Sequence, residues 1–446
     1  MSFVNSFSKH FQSYRHDVSE KARQYASGLM QAGSCKNMDR IAEVVPNSKS
    51  RNLQQFITHS KWNAQDVIDQ VAHEANELLG HEDDACLLID ETGFKKQGKM
   101  SVGTARQWLG RLGKVDNGQV AVFAALANGN YTIAIDERLY LPKSWTNDPE
   151  RCDKAAVPKT HQKFRTKDEL AVEMVRNALT KGIKFRWVGA DAGYGKGLGF
   201  CKAIEAMGKC FVVDVHSDYR VYLEDPQPYI PEKKSKVGPK FKRLRSDAEP
   251  IEVVELVKQW ELEKQPVLEL RETTRGPLKV RAFSQPVYVW DGKSESATEW
   301  VLLATQSVSS NPETKISISN ACESTDLQRL AWMQRQRYWV ERGFEDAKSE
   351  CGMADYQVRK WSAWHHHMAL VMMAMLFMLT ERMRHADTCP LLTCADIEEL
   401  LSHFLPRRDT TEEEVLRQLE TRHRYRQAAI NSHARRSRVL SSPGKN

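Results

Sequence analysis

Three acidic residues stand in local sequences that suit divalent-metal chemistry. Asp90 and Asp191 each follow a short apolar run, at 85–89 and 185–190, that predicts a buried strand. Glu341 lies in a stretch with helical spacing. Three converging carboxylates offer hard oxygen ligands, which suit Mg²⁺ or Mn²⁺, and two ions about 3.5–4 Å apart can stabilise the attacking and leaving oxygens at a phosphodiester. The residues therefore predict a metal-dependent enzyme that acts on nucleic acid.

Basic and polar residues share the helical face of the third acid. Gln334, Arg337, Glu341 and Lys348 follow one another at offsets of three, four and seven residues, so one helix would place them in a single stripe. A metal ligand beside a phosphate backbone would have such neighbours. The alternative is an exposed, salt-bridged helix face, which is common in proteins.

The order of predicted elements indicates an α/β fold that could bring the acids together. Strands are predicted at 85–89, 119–127, 131–141, 185–190 and 210–215, and helices at 167–181 and 197–207. Asn128-Gly129 supplies a tight hairpin turn between the second and third strands. This order predicts a mixed sheet covered by helices, with Asp90 and Asp191 at strand ends that border a shared crevice.

The chain divides into five predicted parts. They are a helical N-terminal DNA-binding domain at 1–82, the first part of a catalytic core at 83–217, a β-rich insertion at 218–324, the second part of the core with the Glu341 helix at 325–385, and a helical basic C-terminal region at 386–446. The small N-terminal helices suit a helix-turn-helix-like DNA module and suit equally a bundle that packs on the next domain.

Basic clusters predict where phosphate would bind. The formal net charge of +7 is modest, so the local grouping of the 65 Lys and Arg residues is the informative feature. Two clusters stand out, one in the insertion and one in the tail: Lys240, Lys242, Arg243 and Arg245, and Arg422, Arg424 and Arg426. Trp290 and Trp300, also in the insertion, could stack on an unpaired base or belong to the core.

Cysteine usage and hydropathy indicate an intracellular protein with no membrane span. Nine Cys without a Cys-x-x-Cys pair fit neither a disulfide framework nor a zinc module and indicate reduced thiols in a cytosol. The longest apolar run, at 368–379, is too short to cross a bilayer and predicts a buried helix.

These motifs resemble the DDE transposases of bacterial insertion sequences, in the branch with a Tyr-x2-Arg-x3-Glu-x6-Lys signature. The chain has Gln334 where the signature has Tyr, followed by Arg337, Glu341 and Lys348 at the signature spacing. The blocks at 90–94 and 190–195, with Arg106 downstream of the first, are also similar to this group. The resemblance runs from about residue 36 to about residue 377.

The resemblance implies a fold, a metal content and a reaction. The fold would be an RNase H-like catalytic core interrupted by a β-rich insertion. Asp90, Asp191 and Glu341 would be catalytic and would bind two Mg²⁺ ions, with Mn²⁺ as the substitute ion. Water would cut the transposon end, and the freed 3′-OH would attack target DNA.

The resemblance also implies partners. These are double-stranded DNA, as terminal inverted repeats and as target, and a second copy of the chain in a synaptic complex. Arg106, Arg337 and Lys348 would contact the DNA, and the protein would work in a bacterial cytoplasm at the nucleoid. Two alternatives stay open: a structure-selective nuclease on the same core, and a non-catalytic DNA-binding protein derived from a transposase.

Overall fold

The computed structural model describes residues 2–13, 16–33, 35–232, 242–273 and 276–441. Five helices and a short β-ribbon come first in the chain: α1 Ser2–Ser6, β1 Gln12–Ser13, β2 His16–Asp17, α2 Ser19–Gln31, α3 Met38–Val44, α4 Ser50–His59 and α5 Ala64–Leu79. Apolar residues of α5 recur at helical spacing and are buried, so this helix has one face turned to the interior. The Asn63 side chain caps it by accepting from the Gln65 amide.

The next part of the chain builds one end of the main sheet. Its elements are β3 Cys86–Lys95, β4 Ala105–Leu109, β5 Lys114–Asn128, β6 Tyr131–Leu139, α6 Lys143–Thr146, α7 Pro149–Lys154, α8 Lys167–Thr180, β7 Trp187–Ala190, α9 Ala192–Gly195, α10 Leu198–Ala206 and β8 Cys210–Asp214. The strand order is β6-β5-β3-β7-β8, with β5 antiparallel to its neighbours and β7 and β8 parallel to β3. Gly129, at a φ of 58°, closes the predicted β5–β6 hairpin.

The segment predicted to be β-rich continues this sheet. It contains β9 Arg220–Val221, β10 Ile251–Glu252, α11 Val253–Gln259, β11 Val267–Arg271, β12 Leu278–Val289, β13 Thr298–Ser307 and β14 Thr314–Ser319. Strand β14 pairs antiparallel with β8, so β11–β14 and the core strands form one sheet of ten strands among the described residues. The insertion is thus joined edge to edge to the core.

Five helices complete the described chain: α12 Leu327–Gln336, α13 Tyr338–Ser349, α14 Trp361–Arg384, α15 Cys394–Phe404 and α16 Glu412–Ser441. Helix α14 contains the apolar run at 368–379 and lies at the centre of the helical layer, where α2, α4 and α5 pack against it. By length and composition it is the one described helix that could cross a membrane, and most of its surface is buried inside the protein. It is therefore the core helix that the N-terminal helices cover.

Histidines at the start of α14 tie these layers together. His366 bonds to the Ile57 carbonyl at 2.8 Å, and His367 bonds to the Tyr25 hydroxyl at 2.9 Å. His365 pairs with Glu137 of β6. The three rings contact three different parts of the fold. The observed architecture, a large mixed sheet with helical flanks, confirms the predicted α/β fold class.

Candidate active site

The centre of the sheet places three aspartates side by side. In the register of the parallel strands, Ile89 pairs with Ala190 and Ala190 pairs with Val213. The next residue on each strand path is acidic: Asp90, Asp191 and Asp214. Neighbouring strands lie about 4.8 Å apart, so these carboxylates form a row where β7 and β8 end. Asp90 itself lies within β3, because that strand runs on to Lys95 rather than ending at residue 89 as predicted.

A close backbone approach fixes the turn that follows Asp191. The Asp191 carboxylate caps the short helix α9 by accepting from the Gly193 amide at 3.0 Å. A Cβ atom on Gly195 would lie 2.1 Å from the Asp214 carbonyl oxygen, closer than any side chain tolerates. Gly195 therefore allows α9 to lie against the end of β8, beside the row of aspartates.

Arg337 connects this row to the predicted third acid. Its Nε donates to Asp214 Oδ2 at 3.1 Å, its Nη1 lies 3.6 Å from Asp90 Oδ2, and its Nη2 lies 2.9 Å from Glu341 Oε1. The Arg337 side chain is only 17% exposed. One guanidinium therefore compensates three carboxylates, as its fork of five donors permits.

The electrostatics of the site follow from burial and crowding of like charges. Burial raises the pKa of Asp90 to about 7, and Asp191 adds to this rise while Arg337 opposes it. Burial also raises the pKa of Asp214 against the opposing charge of Arg337. Burial disfavours the guanidinium charge, yet the carboxylates, Asp214 first, raise the pKa of Arg337 above its ordinary value. The site thus concentrates negative charge, and the single positive charge of Arg337 compensates only part of it.

Helix α13 presents Glu341 and Lys348 to the site. Lys348 donates to the Thr92 hydroxyl at 2.6 Å, two residues beyond Asp90 on β3. Burial, and next the charge of Arg111, lower the pKa of Lys348 to about 8. Glu345 points elsewhere: it is 72% exposed and pairs with Arg342 at 3.6 Å. Glu341 is therefore the glutamate of this helix that shares a partner with the aspartates.

Gln334 lies in α12, and Arg337 is the joint between α12 and α13. The predicted single stripe is thus divided between two helices. The Gln334 amide is buried against the sheet, where it bonds with Thr305 and Ser317. Ser317 in turn donates to Asp214 at 2.5 Å.

The donor set suits a hard divalent cation. Every acidic group in the row and on α13 offers carboxylate oxygens, and neither Cys nor His lies among them. In this conformation no three acidic, His or Cys side chains of the described residues stand close enough to enclose an ion. Arg337 occupies the space between Asp90 and Glu341 and pairs with both. These carboxylates therefore fit a divalent ion by donor type, and in this structure Arg337 pairs with two of them.

The predicted DNA contacts fall into different environments. Arg106, on β4, and three residues of the basic run, Lys242, Arg243 and Arg245, are exposed, while Lys240 lies outside the described residues. Trp290 is half-buried, with its Nε1 donating to the Ser294 carbonyl at 2.7 Å.

Of the two alternatives left open for Trp300, stacking on a base or a place in the core, the structure favours the core. The Trp300 side chain is 2% exposed, packs edge-on against Phe211 and donates to Glu205 at 3.1 Å. A base could reach it only if the sheet opened, because strand β13 holds it inside the core.

A basic cleft separates the N-terminal helices from the C-terminal helix. Its volume is about 710 Å³, and its walls come from the α3–α4 turn and from α16. Arg422 of α16 makes two bonds to Glu43 of α3, at 2.6 and 2.7 Å, and joins the walls. The lining contains eight basic side chains and two acidic ones: Arg40, Lys49, Arg51, Arg408, Arg417, Arg422, Arg424 and Arg426, with Asp39 and Glu43. The cleft therefore has a strong positive excess.

Two features of the site were not predicted from the sequence. Asp214 was hidden in the apolar run at 210–215, where it resembled an ordinary strand residue. The β4–β5 hairpin projects past the end of β3 and exposes Trp108, which is 56% exposed. Arg111, at its turn, lies near enough to Lys348 to lower its pKa. Only a strand pattern in the polar stretch at 105–118 could have predicted the β4–β5 hairpin.

Comparison with known proteins shows the family of the chain. A family model described as DDE superfamily endonuclease matches residues 3–277 of the chain. The chain belongs to this family of nucleic-acid-cutting enzymes, and its mixed sheet with helical flanks is consistent with an RNase H-like core.

The chain is also 26% identical, over 361 residues, to a protein of Microchaete diplosiphon described as a probable transposase for insertion sequence element IS701. The match covers 80% of this chain and 82% of that protein. The resemblance inferred from the sequence is thus confirmed: this is a DDE enzyme related to the transposases of insertion sequences.

Proposed function

We propose that this protein is a transposase that binds the ends of an insertion sequence, cleaves them and joins them to target DNA in a Mg²⁺-dependent reaction. The observation behind the proposal is that the strand register sets Asp191 of the β7 end beside Asp90 of β3, and that Arg337 pairs with both Asp90 and Glu341 of α13. This carboxylate set on a DDE-family fold suits phosphodiester chemistry.

In this proposal Asp90, Asp191 and Glu341 hold two Mg²⁺ ions. When bound, the ions polarise the phosphodiester and lower the pKa of the attacking water. Arg337 turns its terminal nitrogens from the carboxylates to the scissile phosphate, and Lys348 stays beside it on Thr92. Water attacks phosphorus and the bond to the 3′-oxygen breaks, which leaves a 3′-OH on the element. That hydroxyl then attacks a target phosphodiester and displaces the target 3′-oxygen.

The cleft between α3–α4 and α16 is the proposed site for the double-stranded element end, within a DNA-binding domain at 1–82 and a C-terminal region at 386–446. Lys49, Arg51, Arg424 and Arg426 have no acidic partner within the described chain, so they are available to phosphate. The exposed residues of the β4–β5 hairpin, and Lys242 to Arg245, lie on further surfaces that DNA could follow. Two copies of the chain would synapse two ends, in the cytoplasm and at the nucleoid.

The proposal is tested with Mg²⁺ and DNA that contains the element's own ends. A transposase is expected to cleave the ends and then join them to a second DNA. A structure-selective nuclease would cut branched DNA without joining, and a non-catalytic protein would only bind.

Glutamine variants at two neighbouring positions of α13 sharpen this test. Glu341→Gln is expected to abolish cleavage and joining, because it removes charge from the metal site, while the Kd for end DNA stays within about twofold. Glu345→Gln, one turn away and exposed, is the matched control and should keep its activity. Cleavage by the Glu341 variant, with loss in the Glu345 variant, would overturn the assignment.

A further inference from the structure

Asp214 is a fourth carboxylate at the site that belongs to none of the three family motifs. It follows Val213 on β8, which pairs with Ala190 of β7, so Asp214 stands next to Asp191 in the row. Its side chain is 16% exposed, compared with 51% for Glu341. A charge this buried needs partners, and each of its two oxygens has one.

A directed chain of hydrogen bonds leads from the α12 helix to Asp214. The Gln334 amide nitrogen donates to Ser317 Oγ at 2.7 Å, and Ser317 Oγ donates to Asp214 Oδ1 at 2.5 Å. Gln334 and Ser317 are 3% and 0% exposed. Water therefore does not compete for these bonds, and each bond polarises the next.

The direction of the chain is set at its far end. The Arg335 guanidinium donates to Thr305 Oγ1 at 2.8 and 3.1 Å, so the Thr305 hydroxyl has to give its own proton to another acceptor. That acceptor is the Gln334 amide oxygen. The Gln334 nitrogen is then left to face Ser317, and the amide orientation follows from its partners.

The other oxygen of Asp214 holds Arg337 by one nitrogen. Arg337 Nε donates to Asp214 Oδ2 at 3.1 Å, while Nη1 and Nη2 face Asp90 and Glu341. Because the guanidinium is planar, fixing Nε restricts the plane in which the two terminal nitrogens lie. Without this anchor Arg337 could close fully on Asp90 and Glu341.

We propose that Asp214, oriented by Ser317 and Gln334, is a positioning residue that holds Arg337 so that its terminal nitrogens face the reacting phosphate. The proposal rests on the function proposed above, because end cleavage is the reaction affected. It also gives a role to Gln334, which stands where the family signature has Tyr: the residue acts on Arg337 through Ser317 and Asp214.

The proposal is tested by a double-mutant cycle in single-turnover cleavage of labelled end DNA. Asp214→Ala is expected to slow cleavage about 100-fold, as misplacement of a positioning group does, and Ser317→Ala about 10-fold. End affinity should stay within about twofold. In the Arg337→Ala background neither change should slow cleavage further, because the group they position is already gone.

Ser319→Ala is the matched control. Ser319 is a fully buried serine on the same face of β14, but its hydroxyl donates to the Phe211 carbonyl at 2.6 Å and lies outside the chain that ends on Asp214. Its variant should cleave at the unaltered rate. If Asp214→Ala does not fold, Ser317→Ala and Ser319→Ala make the same comparison.

A second readout uses the metal-free protein without DNA. In thermal unfolding, the Asp214→Ala and Arg337→Ala changes should be non-additive, since each removes the same ion pair. Equal slowing by Asp214→Ala with and without Arg337, or unaltered cleavage in the Ser317 variant, overturns the inference. Glu341→Gln separates the two levels: its residual cleavage would refute the proposed function, whereas its inactivity together with additive Asp214 and Arg337 effects would refute only the positioning role.

Discussion

Replacing Asp90 with Asn should stabilise the metal-free protein while it abolishes activity. Burial, with the nearby charge of Asp191, raises the pKa of Asp90 from 3.8 to about 7. An acid with a raised folded-state pKa contributes most to stability below its unfolded pKa, and that contribution is lost as the pH rises from 3.8 towards 7. The buried carboxylate therefore destabilises the fold at neutral pH, and an amide of the same shape does not.

The size of the effect follows from the pKa difference. A rise from 3.8 to about 7 corresponds to about 4 kcal/mol at pH 7.5, and to under about 2 kcal/mol at pH 5, where folding still has to protonate the group. Asn keeps the oxygen that accepts from the Glu91 amide at 2.7 Å, so this hydrogen bond is not lost. Cooperative unfolding of a chain this long changes Tm by about 1 °C per kcal/mol.

The assay is thermal unfolding in chelator at the two pH values. Asp90→Asn should raise Tm by about 4 °C at pH 7.5 and by less than half of that at pH 5. The exposed Glu345→Gln variant controls for the loss of one charge and should change the free energy of unfolding by less than about 0.5 kcal/mol. An Asp90 variant no more stable than the parent at pH 7.5, or a gain that does not shrink at pH 5, would refute the reasoning.

Two further predictions concern the turn beside the site and the basic cleft. Gly195→Ala should destabilise the fold by about 3 kcal/mol in chemical denaturation, because its Cβ would meet the Asp214 carbonyl; Gly197→Ala, with open space around its Cβ, should not. Alanine at Arg424 and Arg426 should each lower the salt slope of end binding by about one. If filter binding shows an unaltered salt dependence in these variants, α16 does not contact the DNA.

Local patterns sufficed to predict the elements that surround the site. The apolar runs before Asp90 and Asp191 indicated buried strands, and Asn128-Gly129 indicated the β5–β6 hairpin, because both signals depend only on adjacent residues. The extension of β3 to Lys95 was missed. Its inward face there consists of Asp90, Thr92 and Phe94, so two polar residues broke the apolar alternation.

Features that depend on distant parts of the chain were beyond such patterns. Asp214 is recognised as a site residue only from its position next to Asp191 in the sheet and from its hydrogen bond with Arg337, which lies 123 residues later in the chain. Pro286 lies inside β12, although a proline ordinarily ends a strand because it has no amide hydrogen to donate. The strand is continuous because β11 pairs only with its first half, so at Pro286 no ladder bond on that side is lost.

Because the basic cleft lies between α3 and α16, the proposed DNA-binding site forms only after α16 has been synthesised. The cleft needs residues near position 43 and near position 422, and the Arg422–Glu43 pair spans 379 residues. On the ribosome, Asp90, Asp191 and Glu341 emerge while one wall of the cleft is still missing. A nascent chain, or one cut before Arg408, would contain every proposed catalytic carboxylate but would lack the α16 wall of the cleft proposed to bind an element end.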